Sequence, residues 1–430
     1  MKVLVIGSGG REHALCLKFS QSPKVEKIYC APGNGGISKI AELVDLTTGD
    51  FTELADFAKK KNIDITFVGP ESPLSEGIVD FFVSRGLKIV GPAKDASKLE
   101  SSKIYAKEFM KIYGIPTAPY RSFSSVADAL NFLDGWEENK KVVVKADGLA
   151  AGKGVYMCDG RKDAHNAVKK MMEDKVLGGA GSNIVIEEHI DGQELSYLIF
   201  TDGISYSVMP ASQDHKRAED GDKGLNTGGM GAYSPAPLAT NELNEKIERD
   251  IIRKVIEGIK AEKLDYKGVL YVGIIMNGND PYVLEFNCRF GDPETQVLLP
   301  LLETDLLDIS RAIVDKRLSD INISWKKGAA VCVVLASGGY PENFEKGFEI
   351  KGLEDITDSD VFVYHAGTKS ENGQIVTSGG RVLGVTAIAG DIKSAVDKVY
   401  ENVKLVSFEN MRYRKDIAKK ALSEVEKAQD

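Results

Sequence analysis

Short apolar runs recur through the first hundred positions, each followed by a stretch with helical spacing. KVLVIG (residues 2–7) reads as an unbroken apolar strand, and REHALCLKF after it carries apolar residues about one helical turn apart. KIYCAPGN, ITFVGP and LKIVGP repeat the strand; FTELADFAKKKN and the segment through Val79 to Val83 repeat the helix. Short apolar strands alternating with helices predict an N-terminal parallel sheet covered on both faces. The strands end in Gly- or Pro-bearing turns (VIGSGG, CAPGNGG, VGPESP, VGPAKD). Ligands of open α/β sheets bind beyond the carboxyl ends of the strands, so these turns form one candidate binding edge.

SKLESSKIYAKEFMKIYGIP (97–116) reads as one long helix, with Gly114 just past its end and Pro116 as a stop. A different rhythm follows. A capped helix (SFSSVADALNFLD), strands VVVKA and VYMCD, a helix (DAHNAVKKMME) and a strand (NIVIEEHI) place a small inserted lid over 118–190. Strands ELSYLIFTDG and ISYSVMPA, a glycine- and aspartate-rich stretch, a charged helix over 240–262 and a hairpin around Asn-Gly-Asn-Asp make up 191–325. Together with 101–117 that segment is expected to form a larger lobe. Strands AAVCVVLASGG, DVFVYHAGTK and RVLGVTAIAG with closing helices predict a separable C-terminal α+β unit over 326–430. The fold class is thus multidomain, α/β at the N-terminus and α+β beyond, with no internal repeat and no low-complexity tract.

Composition narrows the partners. The 430 residues suffice for about two to four domains. The net charge of −9 argues against nucleic acid or an anionic membrane as the main partner, while leaving room for a local basic pocket. The five scattered cysteines form no C-x-x-C and predict no disulfide framework, which fits reduced thiols in a cytoplasmic protein. The opening apolar run is too short for a signal peptide, and no segment is apolar enough to span a bilayer.

Four stretches carry candidate chemistry. GSGGREH has two glycines of a dinucleotide fingerprint, but Glu12 stands in the third position and no carboxylate follows at Cys30 to Asn34. A tight βα turn explains it equally well; its backbone N–H groups and Arg11 could still face a phosphate. VVVKADGLAAGKGV (142–155) is not a P-loop: three residues, not four, separate Gly148 from Gly152, and Gly154 follows Lys153 where a hydroxyl is needed. A strand lysine, Lys145, beside a glycine-rich hairpin loop offers a fixed cation and mobile amide donors for a polyphosphate. An edge strand in solvent is the alternative. IEEHIDGQELS brings Glu187, Glu188 and Glu194, which are either solvated turn carboxylates or a ribose and adenine contact, and His189 is assigned no role. In VLEFNCRFGDPETQ, Glu285, Asn287 and Arg289 alternate on one face of a strand whose neighbours are apolar. A carboxylate plus an amide oxygen suits Mg²⁺ held with nucleotide phosphates; Cys288, on the other face, is expected to be a packed thiol. The polar loop SQDHKRAEDGDKGLNTGGMGAYSPAP gathers Asp214, His215, Lys216 and Arg217 and reads as a substrate loop.

In this order, GSGGREHAL, KADGLAAGKGV, IEEHIDGQELS, SQDHKR, NTGGMGAYSP, EFNCRFGDPETQ and HAGTK resemble the phosphoribosylamine–glycine ligase (glycinamide ribonucleotide synthetase) family of ATP-grasp enzymes over nearly the whole chain. The resemblance implies a purine-biosynthetic ligase joining glycine to 5-phosphoribosylamine through glycyl phosphate, with ATP and Mg²⁺ or Mn²⁺. Its residues would be Lys103 and Lys145 on ATP phosphates and the Gly148–Gly154 loop, including Gly152, Lys153 and Gly154, over them. Glu187, Glu188 and Ile190 would form the adenine hinge, Glu194 would hold the ribose, and Glu285 and Asn287 the metal. Gly10, Arg11 and Glu71 would hold phosphoribosylamine. Asp214, His215 and Lys216 would place glycine or the acyl phosphate, and Arg289 and Lys145 would neutralise charge in catalysis. Many relatives carry another metal carboxylate on the preceding strand; here that strand offers Tyr271. The resemblance further implies small-molecule partners and is compatible with a monomer. Another ATP-grasp ligase or a carboxylase, an NAD-dependent oxidoreductase and a non-catalytic nucleotide sensor are the competing readings.

Overall fold

The computed structural model describes residues 1–150 and 154–427. Its N-terminal sheet is parallel throughout, in the order Glu42–Leu43, Lys27–Pro32, Lys2–Gly7, Ile65–Val68, Ile89–Val90. The first strand, Lys2–Gly7, lies in the middle, where the strand order reverses, and apolar cores cover both faces of the sheet. The turn after it explains the broken fingerprint. Gly7 has φ +128, and any Cβ there would stand 2.6 Å from Glu12. Glu12 folds back to accept from the Gly9 amide at 2.5 Å and pairs with Arg11 Nε.

The helix expected over 97–116 is two helices, Lys98–Ser101 and Lys103–Ile112. Ser102 breaks it in an extended conformation (φ −132, ψ 113), and its Oγ accepts from the Tyr105 amide at 3.1 Å. A serine can compete with the backbone for helix hydrogen bonds, and here it starts a new N-terminus. Asp147, from the strand-to-loop junction of the lid, accepts from both Ser102 Oγ and the Ile104 amide at 2.8 Å. The break therefore ties the lid to the helix that carries Lys103. Gly114 does take the left-handed conformation at the far end (φ +62).

The lid is a four-stranded antiparallel sheet, Tyr120–Phe123, Ile184–Glu188, Val142–Ala146, Val155–Cys158. Helices Val126–Asp134 and Arg161–Val168 close a small core of their own against it. A second antiparallel sheet runs Tyr206–Val208, Gln193–Thr201, Gly268–Asn277, Asp280–Asn287. The last pairing slips: Gly273 faces Glu285 while Ile274 faces Val283, so Leu284 is an extra, bulged residue.

The expected C-terminal unit is present, and its sheet also takes in strands from before residue 326. Its order is Gln213–Asp214, Gly231–Ser234, Ala329–Ala336, Arg381–Ala389, Val361–His365, so two of its five strands come from the polar loop segment. Those strands are too short to be read from periodicity, and Gly231–Ser234 joins the sheet through Ala329–Ala336, about a hundred residues on. The loop between them is ordered by the chain's end. Buried Arg414 donates to Arg217 O at 3.1 Å and pairs with Asp222 at 2.9 Å, and the Gly221 amide donates to Asp416 at 2.8 Å.

Histidines help to join these parts. The His365 amide donates to His13 Nδ1 at 2.8 Å, linking the C-terminal sheet to the first helix, Gly10–Ser20. Burial, with a neighbouring positive charge, lowers His13 to about 3 and His365 to about 4. His215 falls to about 4 for the same reason. Such residues are neutral in the fold but gain a proton on unfolding below their ordinary 6.5. Stability is therefore intact above pH 6.5 and falls as the pH drops toward 4, by about 1.4 kcal/mol per residue per pH unit. Melting temperatures should drop steeply between pH 7 and pH 5. His13→Asn, which keeps an acceptor but cannot charge, should show a shallower drop; an unchanged slope would contradict this account.

Candidate active site

A cleft of about 1120 Å³ lies where these parts converge, lined by the N-terminal turns, lid, large lobe, polar loop and C-terminal sheet. Lys103, Lys145, Gly148, Gly154, Glu187, Glu188, Ile190 and Glu194 line it, as do Arg11, Glu71, Asp214, His215, Lys216, Glu285, Asn287 and Arg289. The sequence-derived candidates are thus brought together, with three exceptions. Gly152 and Lys153 lie outside the described residues. Gly10 is buried behind the wall, where a Cβ would stand 2.6 Å from Gln296 Nε2, so its bareness serves packing.

Each lysine of the cleft is held by a carboxylate. Lys103, in the first turn of its helix, reaches Glu285 at 3.0 Å. Lys216 reaches Glu194 at 2.7 Å. Lys145 pairs with Glu187 and donates to the bulged Leu284 carbonyl at 3.2 Å. This answers how a strand lysine can be buried: it faces the cleft with a full counter-charge. Glu187 is not a solvated turn residue either. It is 3% exposed, and Lys107 pairs with its other oxygen. Gly148 and Gly154 are tight: Cβ atoms there would stand 2.6 Å from Ala180 and 2.8 Å from Ala150.

The strand Asp280–Asn287 and its extension present Glu285, Asn287 and Arg289 to the cleft while Phe286 and Cys288 are buried, as the alternation predicts. Lys103 keeps the Glu285 carboxyl far below its usual range against the opposing effect of burial. Asn287 Oδ1 accepts from Arg289 Nη2 at 3.2 Å. Arg289 also faces Glu71 at 3.3 Å and Glu100 at 3.0 Å. Glu100 accepts from the Cys288 amide at 2.6 Å, and burial raises it despite Arg289. Among the described residues no three His, Cys, Asp or Glu side chains cluster as a metal cage. Glu285 and Asn287 still suit a hard divalent ion that keeps water and phosphate oxygens as its other ligands.

Next to this group Tyr271, across from Asn287 in the sheet, exchanges a hydrogen bond with Ser196 at 2.8 Å, and Ser196 donates to Glu294 at 3.1 Å. Asp214 is half-buried close by, its Oδ1 buried with no hydrogen-bond partner among the described residues; burial and Glu294 push its carboxyl well above the usual range. Both ring nitrogens of buried His215 likewise have no hydrogen-bond partner among the described residues.

Sequence reading missed Lys107, Glu100, Glu294 and Arg381. Lys107 had a signal: it follows Lys103 by one helical turn on a face otherwise carrying Ala106 and Met110. Arg381 had none, since only the sheet brings it to donate to Asp292 O at 2.6 Å and Gly228 O at 2.5 Å.

Comparison with known proteins agrees with this architecture. Three consecutive family models match: phosphoribosylglycinamide synthetase N domain over residues 1–100, ATP-grasp (A) domain over 101–295 and C domain over 330–420. A phosphoribosylamine–glycine ligase of Caldanaerobacter subterraneus subsp. tengcongensis is 47% identical over 418 residues, 97% of this chain and 99% of that one. The crystal structure of phosphoribosylamine–glycine ligase from Thermotoga maritima superposes with a TM-score of 0.84 at 32% identity, covering 97% of this chain and 100% of that one. Biotin carboxylase of Campylobacter jejuni, solved as a β,γ-ATP complex, shares the fold alone (TM-score 0.73, 15% identity, 96% of this chain and 92% of that one). Sequence likeness from end to end and a cleft assembled from all three matched regions place the chain in the phosphoribosylamine–glycine ligase family of ATP-grasp enzymes.

Proposed function

We propose that the protein ligates glycine to 5-phosphoribosylamine, converting ATP to ADP and phosphate and making glycinamide ribonucleotide for purine biosynthesis. The observation that carries this reading is the cleft's lining. Lys103 and Lys145 suit a polyphosphate, and Asp214, whose buried Oδ1 has no hydrogen-bond partner among the described residues, suits an ammonium. A glycine carboxylate oxygen attacks the γ-phosphorus, ADP departs, and glycyl phosphate forms. The amine of phosphoribosylamine then attacks the acyl carbon, phosphate leaves, and the nitrogen loses a proton. No enzyme nucleophile is required, and Cys288 is buried on the far face of its strand.

The chain's own residues position and neutralise. Lys103 and Lys145 exchange their carboxylates for nucleotide phosphates, with Gly148 and Gly154 beside them. The Glu188–Ile190 backbone meets adenine, and Glu194 meets the ribose. A divalent cation, Mg²⁺ or Mn²⁺, held by Glu285 and Asn287 would supply charge neutralisation on the phosphates. Arg289 stabilises charge at the transferred phosphoryl group. Asp214 and Glu294 take the glycine ammonium, with His215 and Lys216 beside them. Arg11 and Glu71 face phosphoribosylamine. The buried free cysteines and the lack of a helix fit to cross a membrane, among the described residues, suit a cytoplasmic enzyme.

ADP formation measured by chromatography should require glycine and phosphoribosylamine together. ADP released at the same rate without either would defeat the assignment, and activity with bicarbonate in place of glycine would favour a carboxylase.

A further inference from the structure

Glu187 carries one more cation than a carboxylate needs. Lys145 pairs with one oxygen and Lys107 with the other, and all three side chains are almost fully buried. The two lysines are not equivalent. Lys145 and Glu187 line the cleft; Lys107 does not. Lys107 is anchored behind them, donating to Thr117 Oγ1 at 2.7 Å, while Thr117 donates to Val283 O at 2.8 Å. Burial lowers Lys107 to about 8, leaving it largely charged at neutral pH. Among the described residues Lys145 has, besides Glu187, the Leu284 carbonyl at 3.2 Å.

We propose that Lys107 is a positioning residue for nucleotide binding. It keeps Glu187 charge-balanced from behind, so that Lys145 can leave that carboxylate for a polyphosphate. This role rests on the ATP-dependent reading above. Without Lys107, moving Lys145 would strand a buried carboxylate, a state that is strongly disfavoured. Lys145 would then stay on Glu187 as a closed one-to-one pair. With Lys107 in place, the cluster holds a surplus positive charge that an incoming phosphate neutralises.

Calorimetric titration with ADP and with adenosine tests this. Lys107→Met should weaken ADP binding about tenfold and leave adenosine binding unchanged, because only the phosphates call on Lys145. With Glu187 also neutral, Lys107 has nothing left to balance. Glu187→Gln and the double variant Lys107→Met/Glu187→Gln should therefore bind ADP alike, a comparison that stands even if the single lysine variant does not fold. Equal losses for adenosine and ADP would reduce Lys107 to a structural role. Unchanged ADP affinity in Lys107→Met, or a tenfold gap between Glu187→Gln and the double variant, would overturn the proposal. Failure of the unaltered protein to bind ADP would remove the ATP-dependent reading and this role with it.

Discussion

Glu285→Gln is expected to lower kcat at least a hundredfold while leaving the fold intact. The substitution is nearly isosteric and removes one charge from a strand position that faces the cleft rather than the core. In the unaltered protein Lys103 holds that carboxylate ionised, so a full negative charge is on offer at neutral pH. A neutral amide oxygen is a much poorer ligand for a hard divalent ion. Lost charge neutralisation on the transferring phosphoryl group is worth several kcal/mol of barrier, which is the stated hundredfold or more. The accompanying signature is a raised Mg²⁺ requirement: activity should recover in part at high Mg²⁺. Thermal unfolding should shift little, since Lys103 keeps partial solvent access at 20% side-chain exposure. Near-normal turnover at limiting Mg²⁺ would remove Glu285 from the metal site.

Arg289→Met is expected to damage both stability and activity. One guanidinium serves Glu71, Glu100, Asn287 Oδ1 and Phe290 O at once, a pattern that needs the planar fork. Glu100 is 7% exposed and would lose its counter-charge. Breaking such a buried pair costs about 3–5 kcal/mol. Glu100 can relieve part of that cost by staying protonated, so the loss should deepen as pH rises. Arg289→Met/Glu100→Gln should recover much of the stability, since no carboxylate is then stranded. Activity should not follow, remaining about 10²–10³-fold down, because the cation facing the transferred phosphoryl group is still missing. Recovery of both together in the double variant would show that Arg289 is purely structural.

Much of the chemistry was legible along the chain because it lies on regular strands. Period-two alternation put Glu285, Asn287 and Arg289 on one face without any knowledge of partners, and the cleft bears that out. Lys145, on a strand beside a glycine-rich loop, likewise stands out in the sequence as a fixed cation, and it lines the cleft. Reading erred where a short polar side chain competes with the backbone. Ser102 sits in a stretch of good helix formers, and only the contact with Asp147 makes the break there pay off as a cap.

What the sequence determined by itself is the alternation of elements, the parallel N-terminal sheet, the lid hairpin and the faces of its charged strand residues. These follow from local sterics and from apolar periodicity, which act over a few residues. Tertiary structure alone decided the charge pairings and the borders. Glu187 became a shared counter-ion because the helix Lys103–Ile112 packs beside the lid strand Ile184–Glu188 and places Lys107 there. The C-terminal sheet took in Gly231–Ser234 because that strand bonds to Ala329–Ala336, about a hundred residues on. Ion pairs and strand ladders are contacts between distant segments, and no local pattern encodes which carboxylate a lysine will meet.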